Sequence, residues 1–175
     1  MTELIWDKAW EITGKCEGGY QCLQNDRGNW TSGKVGIGEC KGTKYGICAM
    51  NYPTVDIKNL SADQAKQIYR RDYWLKYKCD RLPDALSIAV FDYAVNSGGK
   101  QAIKDLQICL GIVADGVIGP QTIGAANTKP TRAVLNEYML RRLEYLVTKC
   151  KWQSFGKGWG ERVHRILAIC EGMAS

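Results

Sequence analysis

Pro83-Asp84-Ala85-Leu86-Ser87-Ile88-Ala89-Val90-Phe91-Asp92-Tyr93-Ala94-Val95-Asn96-Ser97-Gly98-Gly99 is the stretch of sequence that predicts the fold most directly. Proline fits the first turn of a helix, and glycine commonly ends one. We therefore predict a helix over residues 84–97. No linker or low-complexity segment interrupts the chain, so any boundary between two lobes would have to pass through this helix.

Helical patterns also fill most of the sequence on either side. The predicted helices cover about residues 5–17, 62–78, 100–110, a short segment from 120, 132–151 and a last segment after 160. The first has apolar residues at helical spacing and ends at the Gly18-Gly19 pair, so Glu17 is expected at a helix terminus. The second begins with a capping box, in which Ser61 is followed by Gln64 at the third helical position.

The segment from Asn25 to Gly46 differs in composition from the rest of the chain. It is rich in glycine and carries only short apolar pieces, which predicts a small irregular hairpin instead of a core element. The predicted fold class is therefore mainly α, a globular helical fold with a small Gly-rich β-hairpin lobe near the N-terminus.

Composition and charge limit the classes of partner. The chain has 175 residues, of which 45% are hydrophobic and 24% charged, as is typical of a soluble globular protein, and we expect a monomer. Its net charge of +6 favours an anionic partner, such as a nucleic acid, a membrane surface or the bacterial envelope. A nucleic-acid partner is not expected, because the sequence has no arginine-rich run. Stable membrane insertion is not expected, because no apolar stretch approaches the roughly 20 residues that span a bilayer.

The first residues predict where the protein is made. Acidic residues interrupt the apolar ones between Met1 and Lys8, and neither a hydrophobic region nor a small-residue cleavage site follows. We therefore expect synthesis in the cytoplasm without a signal peptide. If the protein works outside the inner membrane, a separate factor has to release it.

The chain contains eight cysteines, which can pair in about 105 ways, so the sequence leaves their connectivity open. Four of them crowd the Gly-rich N-terminal region: Cys16, Cys22, Cys40 and Cys48. At least one disulfide among these four is expected once the protein leaves a reducing cytosol. The three that end apolar helical stretches are Cys109, Cys150 and Cys170. Their positions favour buried thiols that act as small hydrophobic residues.

A metal site is not predicted from this sequence. No Cys-x-x-Cys pair occurs, and the single histidine, His164, has no cysteine at the spacing of a zinc site. We expect neither a metal nor a cofactor.

Glu17 is the residue whose position suggests acid catalysis. A glutamate at a helix end with apolar neighbours can have its pKa raised enough to stay protonated near neutral pH. Cleavage of a glycoside needs such a carboxyl beside the leaving oxygen, with a second carboxylate or a positioned water on the other face of the sugar. Taken alone, a glutamate before two glycines is more often a solvated residue.

The order of motifs along the chain adds to this reading of Glu17. The motifs are, in order, Glu17-Gly18-Gly19-Tyr20, Gly42-Thr43-Lys44-Tyr45-Gly46-Ile47, Leu60-Ser61-Ala62-Asp63-Gln64-Ala65, Ile68-Tyr69-Arg70-Arg71-Asp72-Tyr73-Trp74, Phe91-Asp92-Tyr93-Ala94-Val95-Asn96-Ser97-Gly98, Leu106-Gln107, Asp115-Gly116-Val117-Ile118-Gly119-Pro120-Gln121-Thr122, Gly158-Trp159 and Arg162-Val163. This set resembles glycoside hydrolase family 108 over nearly the whole chain, and the ordered set is far more specific than any one motif.

The resemblance implies a lysozyme-like fold and hydrolysis of bacterial peptidoglycan. The implied enzyme is an N-acetylmuramidase that cleaves between N-acetylmuramic acid and N-acetylglucosamine, as phage endolysins do during host lysis, with Glu17 as the general acid. It would comprise a catalytic part over residues 1–90 and a helical peptidoglycan-binding part over residues 91–175, packed as one compact unit. It would act on the periplasmic cell wall after release by a separate factor. A non-catalytic peptidoglycan-binding module and a lytic transglycosylase are the alternatives.

The second catalytic group stays open, because the sequence departs from the family pattern after Tyr20. A Pro-rich, Asp-containing stretch is replaced there by residues 21–27. Asp26 and Glu39 are the available acids, although each is often a turn residue or a solvated charge. By analogy with related phage lysozymes, Thr43 could orient a water, or its hydroxyl could instead bond a turn backbone. The choice between inversion and retention is also open.

Further residues are candidates for binding sugars. Asp92 and Asn96 share a helix face and could form a wall of a cleft. The alternative for this pair is structural, with Asn96 satisfying the helix end. Four aromatic residues could stack on sugar faces: Tyr20, Tyr45, Tyr73 and Trp74. Because aromatic residues on helices usually belong to the core, at most two of the four are expected to line the cleft.

Overall fold

The structure is a computed structural model that describes residues 2–14, 18–149 and 152–174. Glu17, Cys16 and Cys150 therefore lie outside the described residues. The described parts of the chain contain seven helices, α1 (Thr2–Thr13), α2 (Ala62–Tyr69), α3 (Asp84–Ser97), α4 (Gly99–Cys109), α5 (Pro120–Thr128), α6 (Thr131–Lys149) and α7 (Trp152–Glu171), and an antiparallel sheet of two strands, β1 (Thr43–Lys44) and β2 (Ile47–Cys48). The prediction of a mainly α fold with a small hairpin is confirmed.

Most helix boundaries agree with the sequence signals. Helix α3 follows Pro83 and ends at Gly98, whose φ of 95° is easily adopted only by glycine. The predicted helix over residues 62–78 is shorter, because α2 gives way to a π-helical turn at Arg70–Leu75. Helix α7 begins earlier than predicted, at Trp152. Its glycines are tolerated because packing against α6 and α3 outweighs helix propensity.

The chain forms two compact units. The helical unit comprises Met1–Ala9 and Arg71–Ser175, and the hairpin unit comprises Trp10–Arg70. The expectation that a lobe boundary would pass through residues 84–97 is wrong, because this helix lies entirely inside the helical unit. The predicted functional division at residue 90 falls within the same helix, and what each half of the chain does stays a prediction.

Helix α3 is the centre of the helical unit. All its residues from Ala85 to Ala94 are buried, and it packs against α4, α6 and α7. An aromatic cluster extends this core, with the Trp6 ring centroid 5.4 Å from that of Trp74 and 5.5 Å from that of Phe91. Each such aromatic contact contributes about 0.5–1.5 kcal/mol beyond the burial of its area. Among the described residues, no helix is both long and apolar enough to cross a membrane.

The Leu106-Gln107 motif contacts the motif that begins at Asp115, and both lie in the helical unit. The Gln107 side chain donates to Asp115 Oδ1 at 2.7 Å and accepts from the Gly116 backbone N–H at 2.8 Å. The hydrogen bond from the Val117 backbone N–H lowers the pKa of Asp115 most, and the hydrogen bond from the Gln107 side chain lowers it further. Helix α5 then begins at Pro120. This confirms the predicted short helix from residue 120.

In the hairpin unit, a tight turn joins the two strands, and the short helix α2 bonds to this turn. Tyr45 and Gly46 connect β1 to β2 with φ angles of 52° and 70°, the left-handed pair of a two-residue hairpin loop. Tyr45 is strained there because a Cβ crowds the left-handed region. The Tyr69 hydroxyl on α2 donates to the Tyr45 carbonyl at 2.9 Å and so fixes the turn. The capping box of Ser61 and Gln64 at the start of α2 is confirmed.

Candidate active site

The Gly-Gly-Tyr part of the first motif lies alongside the hairpin. The backbones of Gln21 and Thr43 exchange two hydrogen bonds of 2.9 and 2.8 Å, and the Tyr45 N–H donates to the Gly18 carbonyl at 3.0 Å. These bonds form one wall of a cavity of about 330 Å³. The residues lining it are Gly18, Gly19, Tyr20, Gln21, Thr43 and Gly46. Glu17 directly precedes this lining in the chain but lies outside the described residues.

Gly42 allows the two segments to approach each other. Its φ is 83°, and a Cβ at this position would lie 2.4 Å from the Gln21 carbonyl oxygen and 2.9 Å from Tyr20 Cε2. Both the conformation and the space therefore require glycine. The sequence Gly42-Thr43 thus sets the distance between the hairpin and the Gly-Gly-Tyr segment.

Asp26 and Thr43 are linked through a single buried amide. Asp26 Oδ1 accepts from the Gly28 backbone N–H at 2.9 Å, and its Oδ2 accepts from Asn29 Nδ2 at 3.1 Å. On the other side, the Thr43 hydroxyl donates to Asn29 Oδ1 at 3.0 Å. Asn29 is fully buried, and its own carbonyl accepts from the Lys41 and Gly42 N–H groups. Two predicted site residues are therefore held in one network.

Sequence reasoning missed Asn29. Asparagine in a glycine-rich turn ordinarily bonds only its neighbours, and residues 26–29 on their own predict no more than a short turn. Its bond to Thr43 spans 14 positions, so only the folded chain reveals the link.

Glu39, the other acid considered for the second catalytic group, is placed differently. Its side chain is 74% exposed, and it pairs with Lys41 at 3.2 Å. This placement matches the alternative reading of Glu39 as a solvated charge. Among the residues that the structure describes, no three His, Cys, Asp or Glu side chains form a group that could hold a metal ion.

The four predicted aromatic residues fall into different environments. Tyr20 is 40% exposed and lines the cavity, and its hydrogen bond with Cys22 raises its pKa. Tyr45 is half-buried in the hairpin turn, with the Lys44 ammonium 5.5 Å from its ring centroid. Tyr73 is half-buried in the helical unit. Trp74 belongs to the aromatic core, with 2% of its surface exposed, and so is not placed to stack on a sugar.

Asp92 lies in the core and not on a cleft wall. It is fully buried between two guanidinium groups, with its Oδ2 2.7 Å from Arg142 Nη2 and its Oδ1 2.8 Å from Arg162 Nη2. Asn96 is half-buried, and its Oδ1 accepts from the Ser97 hydroxyl at 3.1 Å. The burial of Asp92 favours the structural alternative for that residue, and the role of Asn96 stays a prediction.

The chain is similar to one known family and to a solved structure. The sequence model of the family Glycosyl hydrolase 108 matches residues 10–98, which include the first motif, the cavity and the Asp26 network. A solved structure of SagA from Brucella abortus is 30% identical in sequence and superposes with a TM-score of 0.80, covering 98% of this chain and 97% of that one. No curated protein matches the chain. The chain belongs to the glycosyl hydrolase 108 family, and it is a glycoside hydrolase that degrades peptidoglycan.

Proposed function

We propose that the protein is an N-acetylmuramidase that cleaves peptidoglycan between N-acetylmuramic acid and N-acetylglucosamine, as an endolysin does when a phage lyses its host. The observation that carries this proposal is the position of the family match, which spans both the Glu-Gly-Gly-Tyr motif and the cavity beside it. The net charge of +6 supports action at an anionic cell wall.

In the proposed mechanism, Glu17 protonates the leaving glycosidic oxygen. The glycines after it leave room for a sugar to approach, since no side chain projects from Gly18 or Gly19 into the cavity they line. Tyr20, which is partly exposed in the same cavity, offers a ring face on which a sugar can stack.

Asp26 and Thr43 would act on the other face of the sugar from Glu17. The Thr43 hydroxyl donates its proton to Asn29 Oδ1. The oxygen of this hydroxyl can therefore accept a hydrogen bond from a water and orient that water. Asp26 accepts hydrogen bonds from Gly28 and Asn29, which hold its carboxylate in place. A charged Asp26 could serve either as the base for that water or as a nucleophile.

The products of digestion test this function. Purified sacculi are digested with the protein, and the soluble fragments are analysed by mass spectrometry. A muramidase leaves reducing ends on N-acetylmuramic acid. Anhydro-sugar ends would instead identify a lytic transglycosylase, and protein that pellets with sacculi but releases no fragments would identify a non-catalytic binding module.

We expect Asn29→Asp to shift the pH dependence of the reaction. Two carboxylates would then share one site, so the pKa of one of them rises. If Asp26 is the second catalytic carboxylate, its new neighbour moves the acidic limb of the kcat/KM profile by about one unit or more. Rates of sacculus clearing measured across the pH range report this shift.

Asn51→Asp is the matched control, because Asn51 is exposed in the same unit and the substitution adds the same charge. It should leave the profile where it is. A folded Asn29→Asp protein with an unmoved acidic limb would mean that Asn29 only packs and does not position Asp26.

A further inference from the structure

Two thiols of the hairpin unit are in direct contact. The sulfur atoms of Cys22 and Cys40 lie 3.1 Å apart, and Cys22 Sγ also lies 3.3 Å from the Cys40 carbonyl oxygen. A disulfide bond is only about 1 Å shorter than this separation. Both are free thiols in the structure, with Cys22 exposed and Cys40 half-buried.

The pair closes the base of the loop that carries Asp26 and Asn29. Cys22 follows Gln21, whose backbone pairs with Thr43, and Cys40 pairs with Trp30 inside the loop. The loop has little core of its own, because its larger aliphatic side chains are more than half exposed: Leu23, Val35 and Ile37. Small regions that lack a core are the ones in which a covalent link adds most to stability.

Three other described cysteines are buried and so are not accessible to an oxidant. Burial raises the pKa of Cys109 and of Cys170 to about 12, and it raises that of Cys79 further. Such thiols are inert towards oxidants. The prediction of buried thiols at Cys109 and Cys170 is confirmed.

We propose that Cys22 and Cys40 form a disulfide once the protein reaches an oxidising compartment, and that this bond fixes the loop beside the substrate cavity. The oxidant is an external disulfide, such as oxidised glutathione or a thiol oxidase. One thiolate attacks it and forms a mixed disulfide, releasing the first thiol of the oxidant. The second cysteine then attacks the protein sulfur of this mixed disulfide and releases the remaining thiol of the oxidant, so two protein thiols are oxidised and one external disulfide is reduced.

Cys22 is the cysteine that reacts first. It is the more exposed of the two, and its hydrogen bond with Cys40 raises the pKa of the Cys40 thiol. Cys40 is then placed to resolve the mixed disulfide. The inference rests on the proposed function only in that the enzyme works outside the reducing cytosol.

The test uses the full chain in a buffer of oxidised and reduced glutathione. Remaining thiols are blocked with N-ethylmaleimide, and the protein is digested with trypsin. We expect the peptide of residues 16–27 linked to the peptide of residues 35–41, and a Tm that rises by at least about 5 °C and falls again on reduction. Cys22→Ser should abolish both the link and the rise in Tm.

Cys16→Ser and Cys48→Ser are the matched controls, and each should keep both effects. The inference fails if Cys22 and Cys40 stay alkylated as free thiols, or if the link to residues 35–41 requires Cys16 instead. A link that forms in a protein unable to digest sacculi would refute the proposed function and leave this inference standing. Digestion of sacculi without any link would refute the inference alone.

Discussion

Glu17→Gln is expected to lower the rate of sacculus clearing by about 10²- to 10⁴-fold while the protein stays folded. Glutamine keeps the size and part of the hydrogen bonding of glutamate but has no transferable proton, and general acid catalysis contributes an effect of this order. The measurement is the loss of turbidity of purified sacculi, with circular dichroism to confirm folding. Binding to sacculi should persist, since the substitution leaves the cavity lining from Gly18 to Gln21 intact.

Glu11→Gln provides the matched control, because Glu11 is an exposed residue of α1 only six positions earlier. It should clear sacculi at the normal rate. A folded Glu17→Gln protein that keeps more than about a tenth of the activity would remove Glu17 from the mechanism. Asp26→Asn, measured in parallel, should lose activity only if Asp26 is the second carboxylate.

Asp92→Asn is expected to destabilise the protein by about 3–5 kcal/mol, because it removes a negative charge that is buried between two guanidinium groups. Arg142 is fully buried and cannot recover its hydration by turning outward. For a chain of this size, the loss corresponds to a fall in Tm of roughly 10 °C. Thermal unfolding followed by circular dichroism measures it.

Asp84→Asn makes the same change at the exposed first turn of the same helix. There the charge is exposed and lies near the positive end of the helix dipole, so the cost should stay below about 1 kcal/mol. The two variants therefore separate a buried ion pair from a surface charge. If Asp92→Asn instead kept its Tm and weakened binding to soluble glycan fragments, Asp92 would be a sugar-binding residue after all.

The sequence by itself determined the local elements and the family. Proline at the start of α3, glycine at its end and the capping box of α2 act on residues within three or four positions, so their effect on the backbone does not depend on the rest of the fold. The order of the motifs was enough for the family, which the match over residues 10–98 confirms. The role of Glu17 was also predicted from this order, and it stays a prediction.

Only the tertiary structure decided which distant residues meet. Thr43 and Asn29 are 14 positions apart, Cys22 and Cys40 are 18 apart, and Arg162 lies 70 positions from Asp92. Asp92 shares a helix face with Asn96 in sequence, and nothing within four positions of it predicts the two arginines that bury it. Contacts of this kind depend on how the chain returns to itself, because burial and long-range pairing are set by the packing of whole elements and not by local propensity.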